Sequence, residues 1–225
     1  MELWATRNSA LQLLVREFAP QAKAIEDLFV VIDECIELFD NKAASDEFCR
    51  VCGLSLTKAR NHALGIYGLI LDGLGQEAGA LMRPFIEFHE LLTYFRLDPS
   101  RVQQALANKL PSAGKIARLI SGPFQEFREH LNSHASHSSF SEHSMGHLID
   151  NHQLKIRKEQ PMLPKVLFRN MGDFFVQFLL LAYEAVNCLQ SHQMGYAESQ
   201  AERVLELREI GMEVFRLAER SSPRP

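Results

Sequence analysis

Two groups of side chains in this sequence have the types and spacing to do chemistry. The first lies in GPFQEFREHLNSHASHSSFSEH, where Glu126, His130, His134 and His137 recur at i, i+4, i+8 and i+11. On a helix they fall within an arc of roughly 80°. The apolar residues Phe124, Phe127, Leu131 and Ala135 centre roughly 100° away, so the row borders a buried stripe. Imidazole titrates near neutral pH and suits general acid–base work, and its neutral form is a common metal ligand. The row therefore admits three readings: a partly exposed polar flank, a metal-free polar site, or the metal site of a hydrolase.

The second group lies in GALMRPFIEFHELLTYF, where Arg83, Glu87, Glu90 and Tyr94 share one helix face. Arg83 and Glu87 are spaced to pair within the helix. The rest of the segment is apolar, from Leu81 to Phe95, so it is expected to be buried on most sides. Charges on such a helix need partners, because an unpaired buried charge is costly. The histidine helix is the obvious source. Arg83, Glu87 and Glu90 are thus expected to face His130, His134 and His137 in one cavity. The alternative is an Arg83–Glu87 ion pair that lends specificity to the fold and does no chemistry.

Other signals exclude more than they offer. None of the nine histidines follows a glutamate by three residues, which argues against a di-iron bundle site. Cys49 and Cys52 form a single C-x-x-C with no second pair at zinc spacing. Cys35 and Cys188 sit among apolar residues and read as core thiols. Gly65, Gly68, Gly73, Gly75 and Gly79 lack a preceding strand and a following Lys-Ser or Lys-Thr, so they are not a phosphate loop. A Gly53-Leu54-Ser55 turn between two short helices would be compatible with a helix-turn-helix, with Lys58, Arg60, Asn61 and His62 on its recognition helix. The net charge of −4 excludes nucleic-acid binding by bulk positive charge.

The elements that must position these groups are helices. Apolar spacing of three and four dominates the 225 residues, and β signals are nearly absent. Helices are expected over about 3–18, 20–40 and 45–51. Ser55 is the expected N-cap of a long region to Leu97, broken near Gly73–Gly75. Further helices are expected at about 101–110, from Phe124 to about 138, and over 165–191 and 198–220. Residues 136–164 are expected to form a long polar loop, with room for a small hairpin around 148–156. The fold class is all-α: an up-and-down bundle with peripheral helices, one domain over 1–220, and a disordered tail at 221–225. The last helix carries Leu207, Ile210, Val214 and Leu217 at bundle spacing. It is expected to dock on its own chain, with a homodimer through this helix as the alternative. The stretch Phe174–Tyr183 is too short for a membrane span and reads as a core helix. The N-terminus does not resemble a secretion signal, so a cytoplasmic protein with reduced thiols is expected, without a membrane and without a cofactor.

Two resemblances rest on these motifs. MRPFIEFHELLTYFRLDP, followed some 30–40 residues later by FREHLNSHASHSS, resembles uncharacterised bacterial all-α proteins that pair an Arg-x-x-x-Glu helix with a Ser/His helix. The spacing of Arg128 and His134, with five residues between, is similar to the Arg…His mark of HEPN helical ribonucleases, and Arg83–His89 repeats it. That resemblance implies His134 as general base on a ribose 2′-OH and Arg128 as phosphate ligand. The candidate site is therefore Arg83, Glu87, Arg128, His130 and His134. It would bind or cut RNA or a nucleotide, in the style of a defence or toxin protein. Two alternatives remain: a non-enzymatic interaction protein with a buried polar network, and a metal-dependent hydrolase.

Overall fold

Apolar residues at three- and four-residue spacing build nine α-helices among the described residues. The computed structural model describes residues 4–134, 148–150, 155–156, 162–192 and 197–216, with backbone alone at 132–134 and 150. The helices are α1 (Ala5–Arg16), α2 (Ala19–Ala43), α3 (Glu47–Leu71), α4 (Gly75–Leu97), α5 (Val102–Leu106), α6 (Ala113–Leu119), α7 (Gln125–His134), α8 (Pro164–Ser191) and α9 (Glu198–Val214). A 3-10 turn at Pro99–Arg101 joins α4 to α5, with Asp98 accepting from the Ser100 N–H. The expected small hairpin exists: β1 (Ile149–Asp150) pairs antiparallel with β2 (Lys155–Ile156). The all-α class is as the periodicity indicated.

Several elements differ from their expectations: α6 was not expected, α5 stops at Leu106 short of 110, α9 ends at Val214 short of 220, and α3 is one helix where two were expected. α3 runs without a break through Gly53 and Ser55, so there is no turn there and no helix-turn-helix. Its N-cap is Asp46, which accepts from the Cys49 N–H. The Ser55 hydroxyl donates instead to the Val51 carbonyl, the bond a mid-helix serine makes. Gly53 is there for packing: a Cβ on it would lie 3.0 Å from the Cβ of Phe39 on α2. Arg60, expected to reach outward, makes a two-pronged bond to Asp33 on α2 at 2.6 and 3.0 Å.

The core is formed by α2, α3, α4 and α8, each packed on its neighbours. Short connections make α2–α3 and α3–α4 antiparallel pairs. The long excursion from 98 to 163 then returns the chain to the start of α4. Gly75 meets Asn170, Phe85 meets Phe174 and Phe178, and Leu92 meets Cys188. Both numbers rise together, so α8 runs parallel to α4. Phe29, Phe85, Phe174 and Phe178 interlock at the centre, with ring centroids 4.6–6.4 Å apart. α9 buries Val204, Leu207 and Gly211 and lies on α2 and α8. α8 is long and apolar enough to cross a membrane by length and composition alone, but 67% of its most apolar window is buried in the bundle.

Candidate functional site

The carboxylate row on α4 does meet α7, and the group that meets it is Arg128. Its Nη1 donates to Glu87 Oε1 at 3.0 Å, and its Nη2 donates to Glu90 Oε2. Arg83 joins at the rim, with Nε 3.5 Å from Glu87 Oε1. Exposure falls steadily inward: 40% at the Arg83 side chain, 27% at Glu87, 13% at Arg128 and 1% at Glu90. The result is a ladder of two arginines and two glutamates, wet at one end and dry at the other.

The facing expected for His130 is corrected by helix geometry. Arg128 lies roughly 160° around α7 from His130. The face that meets the α4 carboxylates is therefore nearly opposite His130. Arg128 sits at the edge of the apolar stripe, one turn from buried Phe124 and Leu131. A charge bordering the apolar stripe on the side away from the histidines was the signal that could have found it. Glu126 and His130 are exposed. The His134 side chain and all of His137 lie outside the described residues. Tyr94, the fourth member of the α4 row, belongs elsewhere: its hydroxyl donates to Gln104, and Arg101 stacks 4.3 Å over its ring.

The dry end of the ladder is under electrostatic stress. Burial pushes the Glu90 carboxyl above its ordinary range, against the pull of Arg128, with the Glu87 charge adding to the rise. Its Oε1 has no hydrogen-bond partner among the described residues. That oxygen is pressed against Gly122, where an added Cβ would lie only 2.8 Å away. A second buried pair, not foreseen, runs parallel to the first: Arg96 Nε donates to Glu184 Oε1 at 2.6 Å. His89 lies near this pair, edge-on to Phe124. Burial lowers its pKa, Glu184 raises it and Arg96 lowers it further, and the net is downward.

The cavity lies beside the ladder rather than around it. A space of about 450 Å³ opens between the α3–α4 turn, α7 and the first turns of α8. Its floor is apolar, formed by Ile66, Ile70, Ala78, Met82, Phe127, Leu131 and Phe174. Its rim is polar, formed by Gln76, His130, Arg169, Asn170 and Asp173. The first turn of α4 borders it, and that helix has no side-chain N-cap. Of the expected site, His130 lines this cavity, while Arg83, Glu87 and Arg128 form the ladder. Arg169, Asn170 and Asp173 escaped the sequence reading because they open a helix that is otherwise apolar.

No family model, curated protein or solved structure matches this chain.

Proposed function

We propose that this protein binds a small anionic ligand with an apolar ring system, of the nucleotide class, in the cavity between α3, α4, α7 and α8. The carrying observation is the cavity itself: about 450 Å³ with an apolar floor and a polar rim. Ligand pockets are commonly of roughly 300–1,000 Å³ with this division of lining. Phe127, with Ile70 and Met82 beside it, offers apolar surface to a base. Arg169, His130 and the uncapped N–H groups of α4 offer donors to a phosphate. Asp173 offers an acceptor to a sugar hydroxyl or an amino group.

The reading favours binding over RNA cleavage. Arg128, the expected phosphate ligand, is committed to Glu87 and Glu90. On this view the ladder stiffens the α4–α7 wall and takes no part in chemistry.

Calorimetric titration with a panel of mononucleotides tests the proposal. One member is expected to bind with a single site. Arg169→Ala, at an exposed position, should fold normally and weaken that binding at least tenfold, which is about 1.4 kcal/mol. Absence of binding across the panel, or unchanged affinity in Arg169→Ala, overturns it. A ribonuclease assay on the same samples reports separately on cleavage.

A further inference from the structure

At the opposite end of the bundle, three side chains of metal-ligand type converge from two helices. Asp46 caps α3, Cys49 sits one turn later, and His192 follows the last turn of α8. Their ligand atoms all lie within 4.8 Å of one another. His192 Nε2 is 2.7 Å from Asp46 Oδ2. The imidazole is stacked on Phe48, with centroids 4.4 Å apart and the planes 22° from parallel. Asp46 Oδ1 accepts from the Cys49 N–H at 3.1 Å, which fixes the carboxylate in turn.

We propose that Asp46, Cys49 and His192 form a zinc site of the open type, with three protein ligands and a fourth position left for water. Thiolate, imidazole and carboxylate together suit Zn²⁺ better than Ca²⁺ or Mg²⁺, which take oxygen ligands. Bonds of roughly 2.0–2.3 Å place tetrahedral ligand atoms roughly 3.3–3.8 Å apart. His192 Nε2 and Asp46 Oδ2, now 2.7 Å apart, would open by roughly 0.6 Å, and the sulfur would close by about 1.5 Å at most, within side-chain reach. The carboxylate is already oriented by a backbone N–H on its non-ligating oxygen, as ligating carboxylates commonly are, and the imidazole is held by its stack on Phe48. Entry is open, because Asp46 and His192 keep 31% and 29% of their side-chain surface in solvent.

The bookkeeping of charge and protons closes. Zn²⁺ arrives hydrated, keeps one water in the fourth position and releases the rest as the three protein atoms bind. The Cys49 thiol gives its proton to solvent and its sulfur binds as thiolate. In the free protein the proton between His192 Nε2 and Asp46 Oδ2 sits on Nε2; on binding, Nε2 loses it to solvent while Nδ1 takes one up, so the neutral ring binds through Nε2 with no net change. Asp46 Oδ2 exchanges its hydrogen bond for the metal. One divalent cation against one thiolate and one carboxylate leaves a neutral centre. Burial and the Asp46 charge push the Cys49 thiol up to about 11, and metal binding displaces its proton. Asp46 is already charged: burial would raise its pKa, but the bonds from His192 and Cys49 outweigh that and hold it below the ordinary range.

The test uses Co²⁺, which reports its own ligands. Metal-free full-length protein, without a histidine tag, is titrated with CoCl₂ and followed by absorption, then displaced by Zn²⁺. The expected result is one Co²⁺ per chain with a sulfur-to-cobalt band in the near ultraviolet. His192→Gln and Cys49→Ser should each abolish the band, whereas Cys35→Ser should keep it. His192→Gln changes a partly exposed residue and is expected to keep the fold, so it decides the matter if Cys49→Ser does not fold. No band in the wild-type protein, or a band that survives His192→Gln, overturns the proposal.

Discussion

Glu90 and Arg128 illustrate how a single pair of residues can hold two elements in register. Glu90 is 1% exposed at its side chain and Arg128 is 13% exposed. Neither charge is stable in such a place alone, because the interior does not return the lost hydration. Together they cost less, and they forbid α7 from sliding along α4. Removing one partner should therefore cost much more than removing both. Arg128→Ala is expected to lower unfolding free energy by about 3–5 kcal/mol. The double change Arg128→Met with Glu90→Leu should recover most of that loss. Urea denaturation of the three proteins checks it, and equal losses in single and double variants would deny the pair its role. The Arg83–Glu87 contact is of another kind. It is long, partly wet and internal to one helix, so its contribution is expected to stay below about 1 kcal/mol. At this scale the sequence showed which α4 residues needed partners, since charges on an apolar helix are visible in one dimension. It did not show the partner. The histidines drew notice by type and spacing, whereas Arg128 was marked only by its angular position beside Phe124, Leu131 and Ala135.

Elements were more legible where periodicity was long and less so where glycine intervened. The ends of α2 and α8 follow the apolar pattern, and Pro20 and Pro164 stand in their first turns. The break in α3 expected at Gly53 does not occur, because this glycine makes room for the Phe39 side chain instead of a turn. Sequence cannot distinguish the two without knowing that Phe39 lies opposite. Gly211 on α9 makes the same point more forcefully. A Cβ there would lie 2.0 Å from Cε1 of Phe175, a ring that is itself fully buried. No rotamer adjustment of a few tenths of an ångström relieves that overlap. Gly211→Ala is therefore expected to lift α9 off α8 and to cost about 1–3 kcal/mol, although alanine is the better helix former. A lowered melting temperature with unchanged far-ultraviolet circular dichroism is the expected outcome. A raised melting temperature would mean that intrinsic helix propensity outweighs packing at this position.

At the scale of the whole molecule, the parallel course of α4 and α8 explains where the two candidate sites fall. Because both helices start at the same end, the N-terminal turns of α4 and α8 meet there and border the cavity. Because α3 runs the other way, its N-terminal cap meets the last turn of α8, which brings Asp46 and Cys49 to His192 across more than 140 residues. Neither meeting is visible as a motif, since each depends on a crossover whose return point the local sequence does not encode. The crossover itself is thinly built. α5 buries only Val102 and α6 only Ile116, whereas α8 buries fourteen residues, among them Phe174, Phe175 and Phe178. Local opening is governed by how much apolar surface an element must expose to come away. The α6 amides are therefore expected to exchange with solvent deuterium through small openings whose rates barely respond to dilute denaturant. The central α8 amides, around Phe178, should exchange only through global unfolding, with rates that rise steeply as denaturant is added. Native-state exchange read by mass spectrometry resolves the two regimes. If α6 were protected as strongly as α8, the crossover would be part of the core and the cavity wall at α7 could not be supported on a looser frame. If α6 is the weaker, ligand bound in the cavity should slow exchange first in α7 and in the opening turns of α4 and α8, before any change appears in the bundle centre.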